Sequence, residues 1–444
     1  CVGQSSLGRW GASGFLSVFW RRHISSQHLA DWLLLPLWWL FDQLSWKRHD
    51  CWGFFIHPLK GDQFIENSRA VFEQVKGDPQ IRKLIFTRAE SGIDLHLQGA
   101  CNTEVIDLQS LAGLFALARC GVYLLTNSVA LDMSWRWPNG GFSVLRANLR
   151  GRIVVNLWHG IPLKRLFVLA NPALQKNADR VAFRRAERAY YQGLVCSSDV
   201  DSYAMAAIFY PIAYSRVWLT GLPRNDFLRM PTAALPEFLR AEVEVVRRAK
   251  NGRRLVTYAP TFRESEVAAA SCYQFSEDEI QRLKALMLKH QAIFGFRMHY
   301  FRKGEQLFNM EQFIDGETII DLGHGVVHEI APVLRESDLV VTDYSSVYID
   351  ALYVDKPVFS FAYDLEHYQS QQNGLLYDMD LAFPGPVVSR FDELLAALDQ
   401  ELSEPEQVRS SHYQLAKKLF FNFQDDRNSA RVVGRLKSLM AKEH

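Results

Sequence analysis

DLVVTDYSSVYIDALYVDKPVFSFAYD, residues 338–364, places an apolar strand before the hydroxyl-rich turn 342–346, then a short helix and a second strand. A helix that begins where a strand ends directs unpaired backbone N–H groups at one point, which favours an anion. Helix capping by Asp343 or Ser345 is the simpler explanation of this segment taken alone. The stretch predicts an α/β unit with a candidate phosphate site at its turn.

Three further strands end in side chains suited to phosphate chemistry. Ligands of open parallel sheets bind just beyond the carboxyl ends of the strands, so we expect these side chains to converge in one crevice. The strands and the residues that follow or end them are RIVVNLWHGIPLKRL at 152–166 with His159, RLVTYAPTFR at 254–263 with Thr261 and Arg263, and AIFGFRMHYFR at 292–302 with Arg297 and His299.

Length and patterning predict two domains. A chain of 444 residues with 48% hydrophobic residues exceeds one ordinary core and can supply two. Strands and helices alternate on both sides of a helical connector at 235–250, which predicts parallel sheets with right-handed crossovers. We expect an amphipathic segment at 1–48, a first α/β domain at 49–234 and a second at 235–444.

Charge is balanced overall and uneven locally. The formal net charge is +1, which argues against nucleic acid as a partner, but residues 136–188 carry eleven Lys or Arg and two acids. Arg180, Arg184 and Arg188 lie at helical spacing on one face. Because acidic partners are scarce there, the stripe favours contact with anionic lipid headgroups or a polyphosphate acceptor over a solvated charged face.

The segment HLADWLLLPLWWLFDQLSW, residues 28–46, invites a membrane interpretation. Its uncharged run is too short to span a bilayer, but tryptophans with basic flanks suit a helix lying in the lipid interface. A buried helix packed on the first domain explains the pattern equally well. Six cysteines without a C-x-x-C pair predict neither disulfides nor a zinc site, and with no secretory signal visible the reducing cytoplasm is the expected compartment.

Six motifs together carry a family resemblance. NLWHGIPLK, GLPRNDFL, YAPTFR, FRMH, SDLVVTDYSSVYIDALYVDKPVFSFAYD and FPGPVV resemble, in order and spacing over about residues 50–430, the motif series of the CDP-glycerol glycerophosphotransferase family of teichoic-acid primases and polymerases. The resemblance implies a GT-B architecture, two facing Rossmann-like domains with the active site between them, the first for the acceptor and the second for the nucleotide donor. It implies also that the final helix, at about 408–422, crosses back to the first domain. It also implies a CDP-glycerol donor and a lipid-linked or glycan polymer acceptor at the inner face of the cell membrane.

The residues themselves fit phosphoryl transfer. Neither G-x-G-x-x-G nor a P-loop motif is present, which removes the usual cradle of dinucleotide oxidoreductases and ATPases. We expect His159 to act as general base and His299 to assist the departing CMP; either could instead be a structural turn histidine. Mg²⁺ stays open, since a diphosphate recruits it with few protein ligands. Expected donor-binding residues are Thr261, Arg263, Arg297, His324, Thr342, Asp343, Ser345 and Ser346, and expected acceptor or membrane residues are Lys164, Arg165, Arg180, Arg184 and Arg188.

Other functions remain open at this level. Ile161, Asn373 and Tyr300 depart from the family pattern, which leaves CDP-ribitol as an alternative donor. A GT-B nucleotide-sugar glycosyltransferase or a UDP-sugar epimerase shares the expected architecture. A membrane protein without catalysis and a nucleotide-binding pseudo-enzyme complete the alternatives, and release of CMP or UDP from candidate donors separates them.

Overall fold

The computed structural model describes residues 26–57, 63–88, 95–261, 273–297, 309–365, 368, 374–405 and 409–441. The predicted sites Arg263 and His299, and the departures at Tyr300 and Asn373, lie outside these ranges.

In the described part of the chain, seven parallel strands form the first sheet, in the order β3-β2-β1-β4-β7-β8-β9. A short antiparallel hairpin, β5 and β6, lies outside it. The strands are β1 Arg48–Phe55, β2 Arg82–Thr87, β3 Thr103–Asp107, β4 Cys120–Leu125, β5 Ser134–Arg136, β6 Phe142–Val144, β7 Ile153–Asn156, β8 Tyr191–Cys196 and β9 Val217–Leu219.

Six described strands form the second sheet, also parallel, in the order β12-β11-β10-β13-β14-β15. Both sheets therefore run outward from a central pair in the doubly wound pattern of a dinucleotide-binding fold. The strands are β10 Arg254–Tyr258, β11 Ala292–Phe296, β12 Ile319–Asp321, β13 Leu339–Thr342, β14 Val358–Phe361 and β15 Val387–Val388.

Helices cover the sheets, as buried parallel strands require. Local signals set their ends: Ser276 and Glu279 form a capping box at the start of α10, and the left-handed Asn251 ends α9. The helices are α1 Ser26–Leu29, α2 Leu35–Leu44, α3 Glu66–Val75, α4 Leu111–Arg119, α5 Val129–Asp132, α6 Ala178–Ala189, α7 Asp199–Ile208, α8 Asp226–Arg229, α9 Glu237–Lys250, α10 Glu277–Lys289, α11 Ile330–Glu336, α12 Val347–Tyr353, α13 Met379–Ala382, α14 Phe391–Ser403, α15 Ser411–Phe420 and α16 Asn428–Met440.

The end of the chain returns to the first domain. Helix α15 packs against α7, and α16 packs against α3, where Lys437 forms an ion pair of 2.8 Å with Asp78. Val432 and Leu436 share one apolar cluster with Val71 of α3. The sequence analysis expected the returning helix at about 408–422; the structure has two helices there, and the second makes the larger contact with the first domain.

Within the segment predicted to be amphipathic, residues 26–44 are helical and carry a π-helical turn, Ala30–Leu34, between α1 and α2. Helix α2 is fixed on α4 by the Trp38 indole, which donates to the Leu114 carbonyl at 2.8 Å. Its buried Asp42 forms an ion pair with Arg152 at the base of the sheet. In the ranges described, no helix combines the length and apolar character that crossing a bilayer requires.

Candidate active site

A cavity of about 470 Å³ lies between the two sheets, where residues following β7, β10, β11 and β13 meet. Strands β1 and β4, and likewise β10 and β13, are the neighbours from which each sheet is wound in opposite directions. Ligands of doubly wound sheets bind in the crevice outside such a switch point. Here the two crevices face each other, so the cavity has one wall from each domain.

His159 forms part of the first-domain wall. Its ring is half-buried, and Nδ1 lies 3.5 Å from the carbonyl oxygen of Thr126, the residue after β4. The Trp158 ring packs on it with 4.0 Å between centroids. A proton on Nδ1 gains the long hydrogen bond to Thr126 and leaves Nε2 as the basic atom.

The turn that carries His159 is strained and braced. Trp158 has φ +55°, a left-handed conformation that a bulky residue rarely adopts. Two buried amides hold it there: the Trp158 N–H donates to Asn156 Oδ1 at 2.8 Å, and Asn67 Nδ2 donates to the carbonyls of Leu157 and Trp158 at 3.0 Å each. The position of the His159 ring is therefore set by the backbone of this turn, which the two amides hold.

A second histidine lies behind His159. His57, after β1, is buried, with its ring centroid 6.3 Å from that of His159. Its Nε2 is 3.8 Å from Oε2 of Glu66, which lines the cavity. The sequence analysis singled out neither residue, because IHP and IENS follow β1 without a phosphate-binding pattern.

The second-domain wall is built from the turns after β10 and β13. Asp343 Oδ1 accepts the backbone N–H of Thr261 at 2.7 Å and of Tyr344 at 2.6 Å, and the Thr342 hydroxyl donates to the Ala259 carbonyl at 2.7 Å. These carboxylate and hydroxyl contacts hold the two turns together. Thr342 and Asp343 therefore brace the wall, whereas Ser345 and Ser346 line the cavity.

The Thr261 hydroxyl lines the same cavity and is buried without a hydrogen-bond partner in the described structure. A buried hydroxyl left unpaired costs stability, on the order of 1–3 kcal/mol. Such a group at a cavity wall is suited to donate to a ligand.

Arg297 and His324 also line the cavity. The guanidinium of Arg297 donates to the carbonyls of Leu322 and Val327 at 2.7 and 2.8 Å and to that of His328 at 3.1 Å. Burial lowers the pKa of Arg297 to about 10, which still leaves it cationic at neutral pH. Its donors hold the loop 322–328, so its charge acts on the cavity through the wall.

The basic residues predicted for the acceptor separate into three groups. Lys164 lines the cavity and lies over the Tyr368 ring at 5.5 Å, and its neighbour Arg165 donates its backbone N–H to the Gly374 carbonyl at 3.1 Å. Arg180 is exposed and Arg184 half-buried on α6. Arg188 packs over the Phe167 and Phe209 rings and donates to the carbonyls of Ile208 and Tyr210, and burial lowers its pKa.

Arg224 is a cavity residue that sequence reasoning missed. Its Nη2 donates to Asp350 Oδ2 at 2.7 Å and its Nη1 to Glu66 Oε1 at 3.4 Å. Burial opposes its charge, but Asp350, Glu66 and Glu329 outweigh burial and raise its pKa. The sequence analysis used GLPRNDFL only as one motif of the family resemblance; the arginine within that motif was the available signal. Within the described ranges no group of three or more His, Cys, Asp or Glu side chains is arranged to hold a metal ion.

Comparison with known proteins gives a family and a fold. The model of CDP-Glycerol:Poly(glycerophosphate) glycerophosphotransferase matches residues 54–438. The teichoic acid ribitol-phosphate polymerase TarK of Staphylococcus aureus (strain NCTC 8325 / PS 47) is 32% identical over 55% of this chain and 45% of its own. The teichoic acid poly(glycerol phosphate) polymerase of Bacillus subtilis (strain 168) is 24% identical over 79% and 44%. The chain thus spans about half the length of these two relatives.

A relative of similar length also matches. The teichoic acid glycerol-phosphate transferase of the same Staphylococcus aureus strain is 23% identical over 85% of this chain and 91% of its own. Among solved structures, the wall teichoic acid polymerase TagF superposes with a TM-score of 0.71 at 18% identity, covering 98% of this chain and 100% of that one. One structure is of a TagF variant combined with CDPG, with a TM-score of 0.66 at 17% identity over 89% and 90% of the two chains. The predicted GT-B fold is confirmed.

Proposed function

Because the chain belongs to the CDP-glycerol:poly(glycerophosphate) glycerophosphotransferase family, we propose that it transfers glycerol phosphate from CDP-glycerol to a hydroxyl of a teichoic-acid-like or capsular polymer acceptor. The observation that carries the proposal is the two-walled cavity, with a basic imidazole on one wall and hydroxyl-bearing turns on the other. The acceptor oxygen bonds to the phosphorus that carries glycerol, the bond from that phosphorus to the bridging oxygen breaks, and CMP departs with that oxygen.

The first-domain wall removes the proton. Nε2 of His159 accepts it from the attacking hydroxyl, while the Thr126 carbonyl stabilises the proton on Nδ1. An imidazole in its neutral form can accept a proton near pH 7. Lys164, at the cavity rim, attracts the anionic acceptor.

The second-domain wall binds the donor diphosphate. The Thr261 hydroxyl donates to a phosphate oxygen, and Ser345 and Ser346 supply further donors at the turn before α12. The positive charge of Arg297 acts at short range without a direct contact. Arg263 and His299 stay predictions for the diphosphate and the leaving CMP.

The donor experiment separates the candidate substrates. The purified protein is incubated with CDP-glycerol, CDP-ribitol or UDP-N-acetylglucosamine, each with and without a poly(glycerol phosphate) acceptor, and release of CMP or UDP is followed. We expect acceptor-dependent CMP release, fastest with CDP-glycerol. CDP-ribitol is the second candidate, since two ribitol-phosphate polymerases are 32% and 30% identical to this chain. Release of UDP, or of no nucleotide, contradicts the proposal.

The protein acts at the inner face of a membrane in this proposal. Helix α2 and its flanks bury one narrow stripe and leave a broad apolar surface exposed, with Trp32 at 73%, Leu44 at 80% and Trp46 at 82%. Each large apolar side chain that leaves water contributes roughly 1.5–3 kcal/mol. The surface continues onto α4, where Phe115 stacks on Phe41 and Arg119 lies over the Phe115 ring. A tryptophan-rich face with a cation at its edge suits an anionic lipid interface, and the free thiols of Cys51, Cys101, Cys120 and Cys196 fit a reducing compartment.

Vesicle binding tests this placement. Serine at Trp32, Leu37 and Leu44 together is expected to weaken co-sedimentation with phosphatidylglycerol-containing vesicles by at least about tenfold. Serine at the exposed Leu288, in the second domain, is the control. Unchanged vesicle binding by the triple variant contradicts a lipid-facing surface. So does an unaltered protein that sediments as a dimer and becomes a monomer in the triple variant, because the surface would then bind a second copy of the chain.

A further inference from the structure

One buried side-chain amide joins the His159 turn to the segment 220–230, which follows β9 and contains α8. Asn67 is fully buried, and its Nδ2 donates to the Leu157 and Trp158 carbonyls at 3.0 Å each. Its Oδ1 accepts the backbone N–H of Arg224 at 2.9 Å. A displacement of Arg224 is therefore transmitted to the residue next to His159 through a single side chain.

Arg224 extends from this segment into the second domain. Its Nη2 donates to Oδ2 of Asp350 at 2.7 Å, and Asp350 lies one turn into α12, the helix that follows Ser346. A Cβ atom at Gly160 would lie 3.3 Å from the same Nη2, so the guanidinium also rests against the His159 turn. One cation thus contacts the base-bearing turn and the helix that begins at the donor-binding turn.

Glu66 supports this cation from the first domain. It begins α3 in a left-handed conformation, φ +60°, which persists only where neighbouring structure holds it. Its N–H donates to Glu329 Oε1 of the second domain at 2.8 Å, and its carboxylate accepts from Arg224. The strained residue directs its backbone and its side chain to the same domain junction.

We propose that Asn67, Arg224 and Asp350 form a positioning relay, which fixes the distance between the base His159 and the donor-binding turn at Ser345 and Ser346. The proposal rests on the proposed function of that cavity. Transfer in line requires the acceptor oxygen and the phosphorus to be aligned, and a misplacement of about 1 Å costs on the order of 10²-fold in rate. In this proposal the three residues act on the reaction through the two turns that they hold.

The structure supplies a matched control pair. Arg229 of α8 and Asp355, just after α12, also join the segment 220–230 to the second domain. Their Nη2 and Oδ2 atoms are 2.9 Å apart. That pair lies at the opposite end of α12, and its other contacts run to the Tyr353 carbonyl and to Lys417, away from the His159 turn. Asp350→Asn and Asp355→Asn therefore each remove one carboxylate that pairs with an arginine of this segment, and only the first interrupts the relay.

Kinetics test the relay. Asp350→Asn is expected to lower kcat for CMP release by about 30-fold to 100-fold with KM for CDP-glycerol changed less than about threefold, because alignment rather than donor affinity is lost. Asp355→Asn is expected to leave both constants within about twofold. Arg224→Lys, which keeps the charge but not the forked donors, is expected to resemble Asp350→Asn.

Non-additivity distinguishes a relay from separate structural defects. Asn67→Ser and Asp350→Asn act on opposite ends of Arg224, so the double variant is expected to lose no more of kcat than the worse single variant. Multiplied losses overturn the proposal. An Asp350→Asn loss equal to that of Asp355→Asn also overturns it.

A readout without turnover separates this proposal from the proposed function. Hydrogen–deuterium exchange of the backbone at 157–163 is expected to accelerate about tenfold in Asp350→Asn and not in Asp355→Asn, although both changes lie in the second domain. Absence of CMP release by the unaltered protein would refute the proposed function and leave this measurement to decide the relay. Equal exchange in the two variants refutes the relay, whatever the activity.

Discussion

The two turns that face each other across the cavity are held in different ways. The turn at His159 is fixed by buried amides from below, Asn156 and Asn67, and it places one ring against one carbonyl. The turns at Thr261 and Ser345 are fixed to each other by the Asp343 carboxylate, and they present several hydroxyl groups to the cavity. A base needs one atom in one place, whereas a diphosphate needs several donors. The difference in bracing therefore matches a division of labour between the domains.

The largest expected effect follows from removing the base on the first-domain wall, Nε2 of His159. His159→Asn is expected to lower acceptor-dependent CMP release by about 10³-fold, within the usual range for a general base. KM for CDP-glycerol stays within about twofold, because the donor binds the other wall. Steady-state kinetics measure both constants. His412→Asn, at a half-buried histidine of α15 that does not line the cavity, is the control, and an unchanged rate in His159→Asn would break the comparison.

A buried carboxyl beneath the first wall gives a pH test of its bracing. Asp132 accepts the backbone N–H groups of Thr126 and Asn127 at 2.8 and 2.9 Å, and burial raises its pKa from 3.8 to about 6. Between these values the unfolded chain loses the proton and the folded chain keeps it. The free energy of unfolding is therefore expected to fall as pH rises from about 4 to about 6, by roughly 2–3 kcal/mol.

Urea unfolding at pH 4.5 and pH 7 measures this change. Asp132→Asn cannot ionise, so its unfolding free energy is expected to lose that part of the pH dependence. The matched pair of curves isolates one carboxyl from all others. Parallel pH dependence in both proteins would contradict the shifted pKa.

On the second wall, two threonines should respond in opposite ways. Thr261→Val removes the unpaired hydroxyl, so KM for CDP-glycerol is expected to rise about tenfold with no loss of stability. Thr342→Val removes the donor to Ala259 and is expected to cost about 1–3 kcal/mol of unfolding free energy. Kinetics and thermal unfolding of both variants compare a binding group with a bracing group. A destabilised Thr261→Val protein would place both threonines in the bracing class.

The smallest expected effect lies on the arginine face of α6. Arg184→Gln is expected to weaken binding to anionic vesicles about fivefold, since one cation near a charged surface contributes roughly 1 kcal/mol. Arg188→Gln should instead lower the melting temperature, because Arg188 donates to two carbonyls and packs on two rings. Vesicle co-sedimentation and thermal melts read the two effects separately. Equal vesicle binding in both variants would restore the single stripe predicted from sequence.

Much of the fold could be predicted from the sequence because buried parallel strands consist of continuous runs of apolar residues. The strands before His159, Thr261 and Ser345 were placed to within a few residues. Strands β3, β9 and β15, each at an edge of its sheet, were missed, and so was the hairpin of β5 and β6. All five are short segments whose apolar pattern is weak.

The site was predictable only where chemistry is local. A histidine or a hydroxyl at a strand end carries its own signal, as His159 and Thr261 do. The roles of Asn67 and Arg224 depend on hydrogen-bond partners about 90 and 126 positions away along the chain. No local sequence pattern predicts such pairs. The packing of Arg188 was not predicted either, since helical spacing says nothing of the aromatic rings that contact it.

The return of α16 to α3 has a consequence for synthesis. The strands of the first sheet are complete at Leu219, but Val71 on α3 receives its partners Val432 and Leu436 only after Met440 has been made. As domains generally fold from the N-terminus while the ribosome is still translating, the first domain waits for half of the polypeptide with an apolar flank uncovered. Nascent chains halted before residue 428 are therefore the species on which a chaperone would act.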